Sequence, residues 1–266
     1  MADYQPLSVY YVNDVEVRVY PSLLSLAAAA AADGAATIRW AIETHGNARV
    51  VFTAAKSQIR MIEWLIEADV DWSRVTVFQM TEYLGLPADH PGSSRRWLEK
   101  HLLSRVAPGR VELLRGDAPN IGVECARYGD LLHEAPIDAV FAGFGENGRL
   151  AFNDPASSDF NDPATVKVVK LDDSCRGQQV FESLFVDSSA VPTHAYTLTL
   201  PALMRGRRII CCVPEARKAE AVRNALDGPL TRACPSSFLI THHNATIYLD
   251  TDSASMLTRP LSRVLD

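Results

Sequence analysis

The sequence predicts an α/β fold, a doubly wound, mainly parallel sheet with helices on both faces. Three observations predict it. Short β-branched runs alternate with longer stretches of helical spacing. That alternation implies parallel pairing through right-handed crossovers, which cover both faces of the sheet. No internal repeat or low-complexity linker divides residues 1–266, so the chain reads as one domain with a Rossmann-like arrangement.

The elements follow in order. The first helical pattern runs over 23–45, with Leu24, Leu26, Ala27 and Ala31 placed to face the sheet. A strand at 49–53 leads to a helix at 57–68, where Ile59, Ile62, Leu65 and Ile66 form an apolar stripe. Next come a strand at 75–78, a helix at 93–106, a strand at 111–114 and a helix at 122–133. Strands at 137–142, 165–171, 195–200 and 208–213, a helix at 215–226 and a strand at 246–249 complete the pattern.

Composition narrows the function classes. With 47% hydrophobic residues the chain can bury a substantial core without disulfides or a metal. Its five cysteines are an odd count with no Cys-x-x-Cys spacing, and Cys211 and Cys212 read as core thiols. A net charge of −6 argues against a general nucleic-acid binder, which relies on a basic surface. The N-terminus lacks a basic start followed by an apolar core, and Asp33 and Gly34 break the alanine run 27–32. Neither a secretory signal nor a membrane span is expected, and the expected compartment is the cytoplasm. His242-His243 lacks companion ligands at metal spacing and reads as a surface turn, so no metal is expected, and no cofactor either. Gly143-Phe144-Gly145 lacks the third glycine of a dinucleotide fingerprint, and no Gly-x-Ser-x-Gly elbow is present.

In a sheet of this kind ligands bind beyond the carboxyl ends of the strands. Three segments leave strand ends there: 53–58, 79–83 and 143–149. Two of them carry a longer signature. Phe78-Gln79-Met80-Thr81-Glu82-Tyr83-Leu84-Gly85-Leu86-Pro87 is followed by His90-Pro91-Gly92-Ser93. Gly143-Phe144-Gly145-Glu146-Asn147-Gly148-Arg149-Leu150-Ala151-Phe152-Asn153-Asp154-Pro155 is the second, and Pro214-Glu215-Ala216-Arg217-Lys218-Ala219 adds a late third. In this order they resemble the glucosamine-6-phosphate deaminase/isomerase family, and the likeness covers about residues 45–250.

The resemblance implies a division of labour. An aspartate moves a proton between the first two sugar carbons, which needs a base of tuned pKa within hydrogen-bond reach. A histidine supported by carboxylates opens the ring. A glycine-rich loop, an arginine and a lysine hold the phosphate, as suits backbone N–H groups at a helix start with cations nearby. The implied ligand is an anionic small molecule, a sugar phosphate, with a homo-oligomer as the expected assembly.

Departures from the family pattern fall on these parts. The proton-moving aspartate falls on Thr81, which is no base near neutral pH without an activating partner. Adjacent Glu82 reads first as a carboxylate tying down a loop, with catalysis as the alternative. The ring-opening histidine falls on Arg149, whose guanidinium stays protonated. Arg149 either stabilises an anion or forms a salt bridge to Asp154 or Glu82. Asn147 and Asp154 are milder changes, suited to orienting ligand hydroxyls. In the phosphate loop, Ala54-Ala55-Lys56-Ser57-Gln58 replaces a glycine-rich pattern, with Lys56 as a substitute charge and Ser57 as a helix N-cap or a ligand contact. Lys218 matches the phosphate lysine, and Arg176 is a candidate anion contact from the family's lid.

Three functions follow: ordinary deamination, a repurposed enzyme on a phosphorylated sugar or related polar metabolite, or a non-catalytic binding or regulatory module. The paired gain of Lys56 and Arg149 favours the second, with Glu82 or Asp154 as its acid/base residue.

Overall fold

In the computed structural model, which describes residues 5–258, the strands separate into two sheets. The large one contains β1 (Ser8–Val12), β2 (Val15–Tyr20), β3 (Ala48–Phe52), β4 (Val75–Gln79), β6 (Arg110–Glu112), β7 (Ala139–Ala142), β10 (Arg208–Val213) and β11 (Ala245–Asp250). Its order is β1-β2-β11-β10-β7-β3-β4-β6, parallel throughout except for the antiparallel edge pair β1–β2.

Strand periodicity decides the layers, because successive side chains point to opposite faces. Val50, Phe52, Val77, Phe141, Ile210 and Cys212 lie on one face. There they meet α1 (Leu23–His45), α2 (Ile59–Ile66) and α3 (Ser94–Leu98). Val51, Phe78, Val140, Cys211 and Val213 lie on the other, against α4 (Ile121–His133), α6 (Leu200–Met204) and α7 (Ala219–Leu226). Cys211 and Cys212 are thus core thiols on opposite faces, and both are free.

Helix α1 shows how local chemistry sets an element. Ser22 opens it with a capping box shared with Ser25, and Gly46 closes it in the left-handed conformation. Leu26, Ala27 and Ala31 are buried as expected, but Leu24 is 48% exposed, because it points away from the sheet-facing stripe.

Other expectations are corrected as well. The strands at 165–171 and 195–200 do not join the parallel sheet. As β8 (Val166–Lys170) and β9 (His194–Leu198) they form an antiparallel sheet with β5 (Thr81–Tyr83), in the order β5-β9-β8. Lys167 and Lys170 explain this, since a strand buried on both faces has no place for two ammonium groups. Leu200 begins α6 instead of ending a strand, because the Thr199 side chain caps the helix at the Ala202 N–H. The hairpin β1–β2 was not anticipated; it turns at Asn13, which sits at φ 52°. His242 is also not a surface turn residue. It is buried, its Nε2 2.8 Å from the Gly206 carbonyl and its Nδ1 accepting from the Asn244 N–H.

Helix α5 (Asp173–Phe181) lies with the small sheet. It shares a third apolar cluster in which Tyr83, Phe152, Cys175 and Phe185 are buried. Among the described residues no helix is long and apolar enough to cross a membrane.

Close packing of α1 on the sheet gives a sharp test. A Cβ at Gly34 would lie 2.6 Å from the Phe141 ring, which is stacked on Phe52 at 4.5 Å and has little room to retreat. Gly34→Ala gains up to about 1 kcal/mol of helix propensity but meets an overpacking cost of about 1–3 kcal/mol. Urea denaturation is expected to show a net loss of about 1 kcal/mol, where an exposed helical glycine would show a gain.

Candidate active site

The large sheet changes direction between β3 and β7: the chain builds β4 and β6 on one side, β10 and β11 on the other. Loops leaving such neighbours diverge and open a crevice. The cleft lies there, lined by Thr53, Ala54 and Ser57 after β3, Thr81 after β4, Gly143, Gly145, Arg149 and Phe152 after β7, and Lys218 after β10. Gln178, Gln179 and Glu182, from α5 and the residue following it, close the remaining side.

Glycines make the cleft possible. A Cβ on Gly143 would stand 2.8 Å from Gln58 Nε2 and 2.9 Å from the Cys212 carbonyl. A Cβ on Gly145 would stand 2.4 Å from Arg149 Cγ, so that missing side chain is the space Arg149 occupies. Gly148 at φ 76° and Ala151 at φ 56° turn the chain on either side of Arg149. For alanine this conformation is strained, and strain of this kind gathers at functional sites.

Arg149 is buried, with its guanidinium 5.8 Å from the centre of the Phe152 ring. Among the described residues no carboxylate lies within 4.0 Å of it, so neither salt bridge considered for it forms. Its backbone N–H donates to Asn147 Oδ1 at 3.1 Å. Asn147 Nδ2 donates to Asp154 Oδ1 at 2.9 Å and to Asp172 Oδ2 at 3.2 Å. Asp172 Oδ1 in turn caps α5 by accepting from the Cys175 N–H at 2.6 Å. Asn147 and Asp154 therefore brace the loop and tie it to α5; they do not line the cleft. Burial holds the Asp154 carboxyl above its usual range, although Arg149 and Asn147 pull it down.

Lys218 is the second buried cation. It ends a short 3₁₀ turn, Ala216–Lys218, that follows Glu215 at φ 84°. Burial, helped by Arg217 and Arg149, lowers its pKa to about 8. Among the described residues it too has no carboxylate within 4.0 Å.

Besides Asn147 and Asp154, four expected site residues lie outside the cleft. Glu82 is fully buried but points into the start of α3. There it accepts from the Ser94 N–H at 3.1 Å, the Arg95 N–H at 3.0 Å and the Ser93 hydroxyl at 2.8 Å, and it pairs with Arg95 at 3.3 Å. Every lone pair has a donor, which makes it an anchor for the helix. Lys56 is exposed and faces outward, because its 3₁₀ turn directs it away from the cleft. Gln58 is buried behind the cleft, donating to the Cys212 carbonyl at 3.1 Å. Arg176 spends its guanidinium on the carbonyls of Ser188 and Val191. Ser57 does line the cleft but caps nothing: the 3₁₀ turn and α2 start without side-chain caps, and Ser57 Oγ accepts from Gln58 Nε2 at 3.2 Å.

Glu182 was not among the expected residues. Its carboxylate accepts from Gln178 Nε2 at 2.6 Å and from Arg217 at 3.3 Å. The available signal was the spacing Gln178 to Glu182, one helical turn, two positions from the arginine that was chosen.

The family model for glucosamine-6-phosphate isomerases/6-phosphogluconolactonase matches residues 21–248. The chain belongs to this family. Over 193 residues it is 36% identical to a glucosamine-6-phosphate deaminase of Listeria monocytogenes, covering 73% of this chain and 80% of that one. A Bacillus thuringiensis glucosamine-6-phosphate deaminase is 29% identical over 221 residues, 83% of this chain and 82% of its own. The solved structure of a monomeric glucosamine-6-phosphate deaminase has a TM-score of 0.84 at 25% identity, covering 90% of this chain and 99% of that chain. A 6-phosphogluconolactonase from Shewanella baltica shares the fold, with a TM-score of 0.73 at 18% identity over 88% of this chain and 97% of that one.

Removing Glu82 separates anchoring from chemistry. Glu82→Ala leaves the Ser94 N–H and the Ser93 hydroxyl without the acceptor described here and takes from Arg95 one of its two carboxylates, the other being Asp117. It is expected to cost about 3 kcal/mol, or roughly 6–12 °C in Tm. Calorimetry that showed an unchanged Tm would contradict the anchoring role.

Proposed function

We propose that the protein is an enzyme acting on a phosphorylated sugar or a related anionic metabolite, by chemistry altered from the deamination and isomerisation of the family. One observation carries this reading. Two buried cations, Arg149 and Lys218, share a cleft in which neither has a carboxylate within 4.0 Å among the described residues. Such a pair is costly to bury unless an anion neutralises it. A phosphate or carboxylate does so with charge-assisted hydrogen bonds, the guanidinium supplying a planar fork and the ammonium a point charge.

The proton-transfer machinery supports altered chemistry. Thr81 lines the cleft where the family resemblance puts the aspartate, and Arg149 where it puts the histidine. Losing one well-placed acid/base group typically costs about 10²–10⁴-fold in rate. Neither Glu82 nor Asp154 lines the cleft, so neither replaces the missing base, whereas Glu182 is a carboxylate that does line it. A fixed guanidinium there can stabilise developing negative charge in a transition state. A pure binding module is the alternative, distinguished by binding without turnover.

The test combines calorimetric titration with assays of turnover on glucosamine 6-phosphate, 6-phosphogluconolactone and other sugar phosphates. Efficient release of ammonia from glucosamine 6-phosphate would contradict altered chemistry, and binding with no turnover across the panel would favour the module. The pH dependence checks the site. Lys218 is lowered to about 8, so its charge is lost as pH rises through that value. Sugar-phosphate affinity is therefore expected to hold below pH 8 and to fall above it, by up to about tenfold per pH unit. Lys218→Met should bind weakly at all pH values and abolish that slope. A pH-independent affinity in the native protein would contradict a role for Lys218 in anion binding.

A further inference from the structure

The cleft is too small for a whole sugar phosphate. It encloses about 50 Å³, room for roughly four waters or one anionic group. Ligand pockets typically run to about 300–1,000 Å³. A second hollow of about 520 Å³ lies alongside, and Glu182 lines both. Ser57 in the cleft and Lys56 in the hollow are also chain neighbours, so the two spaces lie on either side of the turn that starts α2.

The hollow has a charge that the chain as a whole does not. The protein carries 32 acidic and 26 basic side chains, yet Lys56, Arg96 and Lys100 converge here from three places: the turn before α2, helix α3, and the turn after it. Among the described residues that line it, Glu182 is the single acidic one, and it is already engaged by Arg217 and Gln178. Among the described residues, none of the three cations has a carboxylate within 4.0 Å. Their neighbours behave differently: Arg95, beside Arg96, pairs with Glu82 and Asp117, and Arg60, on α2, pairs with Glu63. Buried Trp97 supplies an apolar floor, with the His101 ring 4.6 Å away.

We propose that this hollow is a second anion subsite serving the same ligand. The substrate is then a sugar phosphate bearing a further anionic group, one end held in the cleft by Arg149 and Lys218 and the other by Lys56, Arg96 and Lys100. This rests on the reading of the cleft as an anion site. It gives Lys56 a function at a distance from the place where its position in the chain suggested it would act. Glu182, between the two ends, stands beside the body of the ligand.

Calorimetric titrations at pH 7 and low ionic strength test it, with glucose 6-phosphate and fructose 1,6-bisphosphate as probes. The bisphosphate is expected to bind about tenfold more tightly, an advantage that shrinks as salt screens the exposed cations. The triple variant Lys56→Ala, Arg96→Ala, Lys100→Ala changes exposed positions and should melt as the native protein does. It should lose the bisphosphate advantage while its affinity for glucose 6-phosphate stays within about twofold. Arg149→Ala should weaken both probes. Equal affinities in the native protein, or an advantage that survives in the triple variant, would overturn the second subsite and leave the cleft reading standing. Absence of binding by both probes would overturn the cleft reading, and the second subsite with it.

Discussion

Two buried cations that have no carboxylate within 4.0 Å among the described residues govern the design of this site. Taking a guanidinium or an ammonium out of water costs several kcal/mol, and a protein normally recovers this with a buried carboxylate. Here the nearest acidic groups are occupied elsewhere. Asp154 and Asp172 share Asn147, Glu82 holds the start of α3, and Glu182 is bound by Arg217 and Gln178. Burial instead lowers the pKa of Lys218, and Arg149 lies over Phe152 in space left by Gly145. The arrangement is prepared for an anion that arrives from outside.

That preparation depends on the sheet. Alternating faces of β3, β7 and β10 lock into two separate apolar layers, so the strand ends are fixed relative to one another. Cleft residues then need only short loops from a rigid edge, and the strained backbone at Ala151 and Glu215 is held by this packing. The chain Asn147–Asp172–Cys175 carries the same rigidity to α5, which closes the cleft.

Much of this was legible in the sequence, and the failures have physical causes. Helix α1 was readable to its ends because its apolar stripe is long and Gly46 ends it. The parallel strands β3, β4, β7, β10 and β11 were readable because both their faces are buried and largely apolar. Strands β8 and β9 misled because β-branched runs indicate a strand but not its sheet, and the two lysines were the overlooked clue. At the site, the motifs singled out Thr81, Ser57, Arg149 and Lys218, four residues that line one cleft in the structure. They could not give side-chain direction. Lys56 and Ser57 are adjacent, yet one faces the second hollow and the other the cleft. Glu182 was missed because its spacing from Gln178 marks a helical turn but not where that turn lies, and its place in the cleft depends on how α5 packs with β5 and β9.

The central claim is that Arg149 and Lys218 together form the anion site. A crystal structure of the protein soaked in selenate, located by its anomalous signal, tests this most directly. The account predicts selenate in the cleft with oxygens about 3 Å from both the Arg149 guanidinium and Lys218 Nζ. A cleft without selenate, or an Arg149 turned to pair with Asp154, would contradict it.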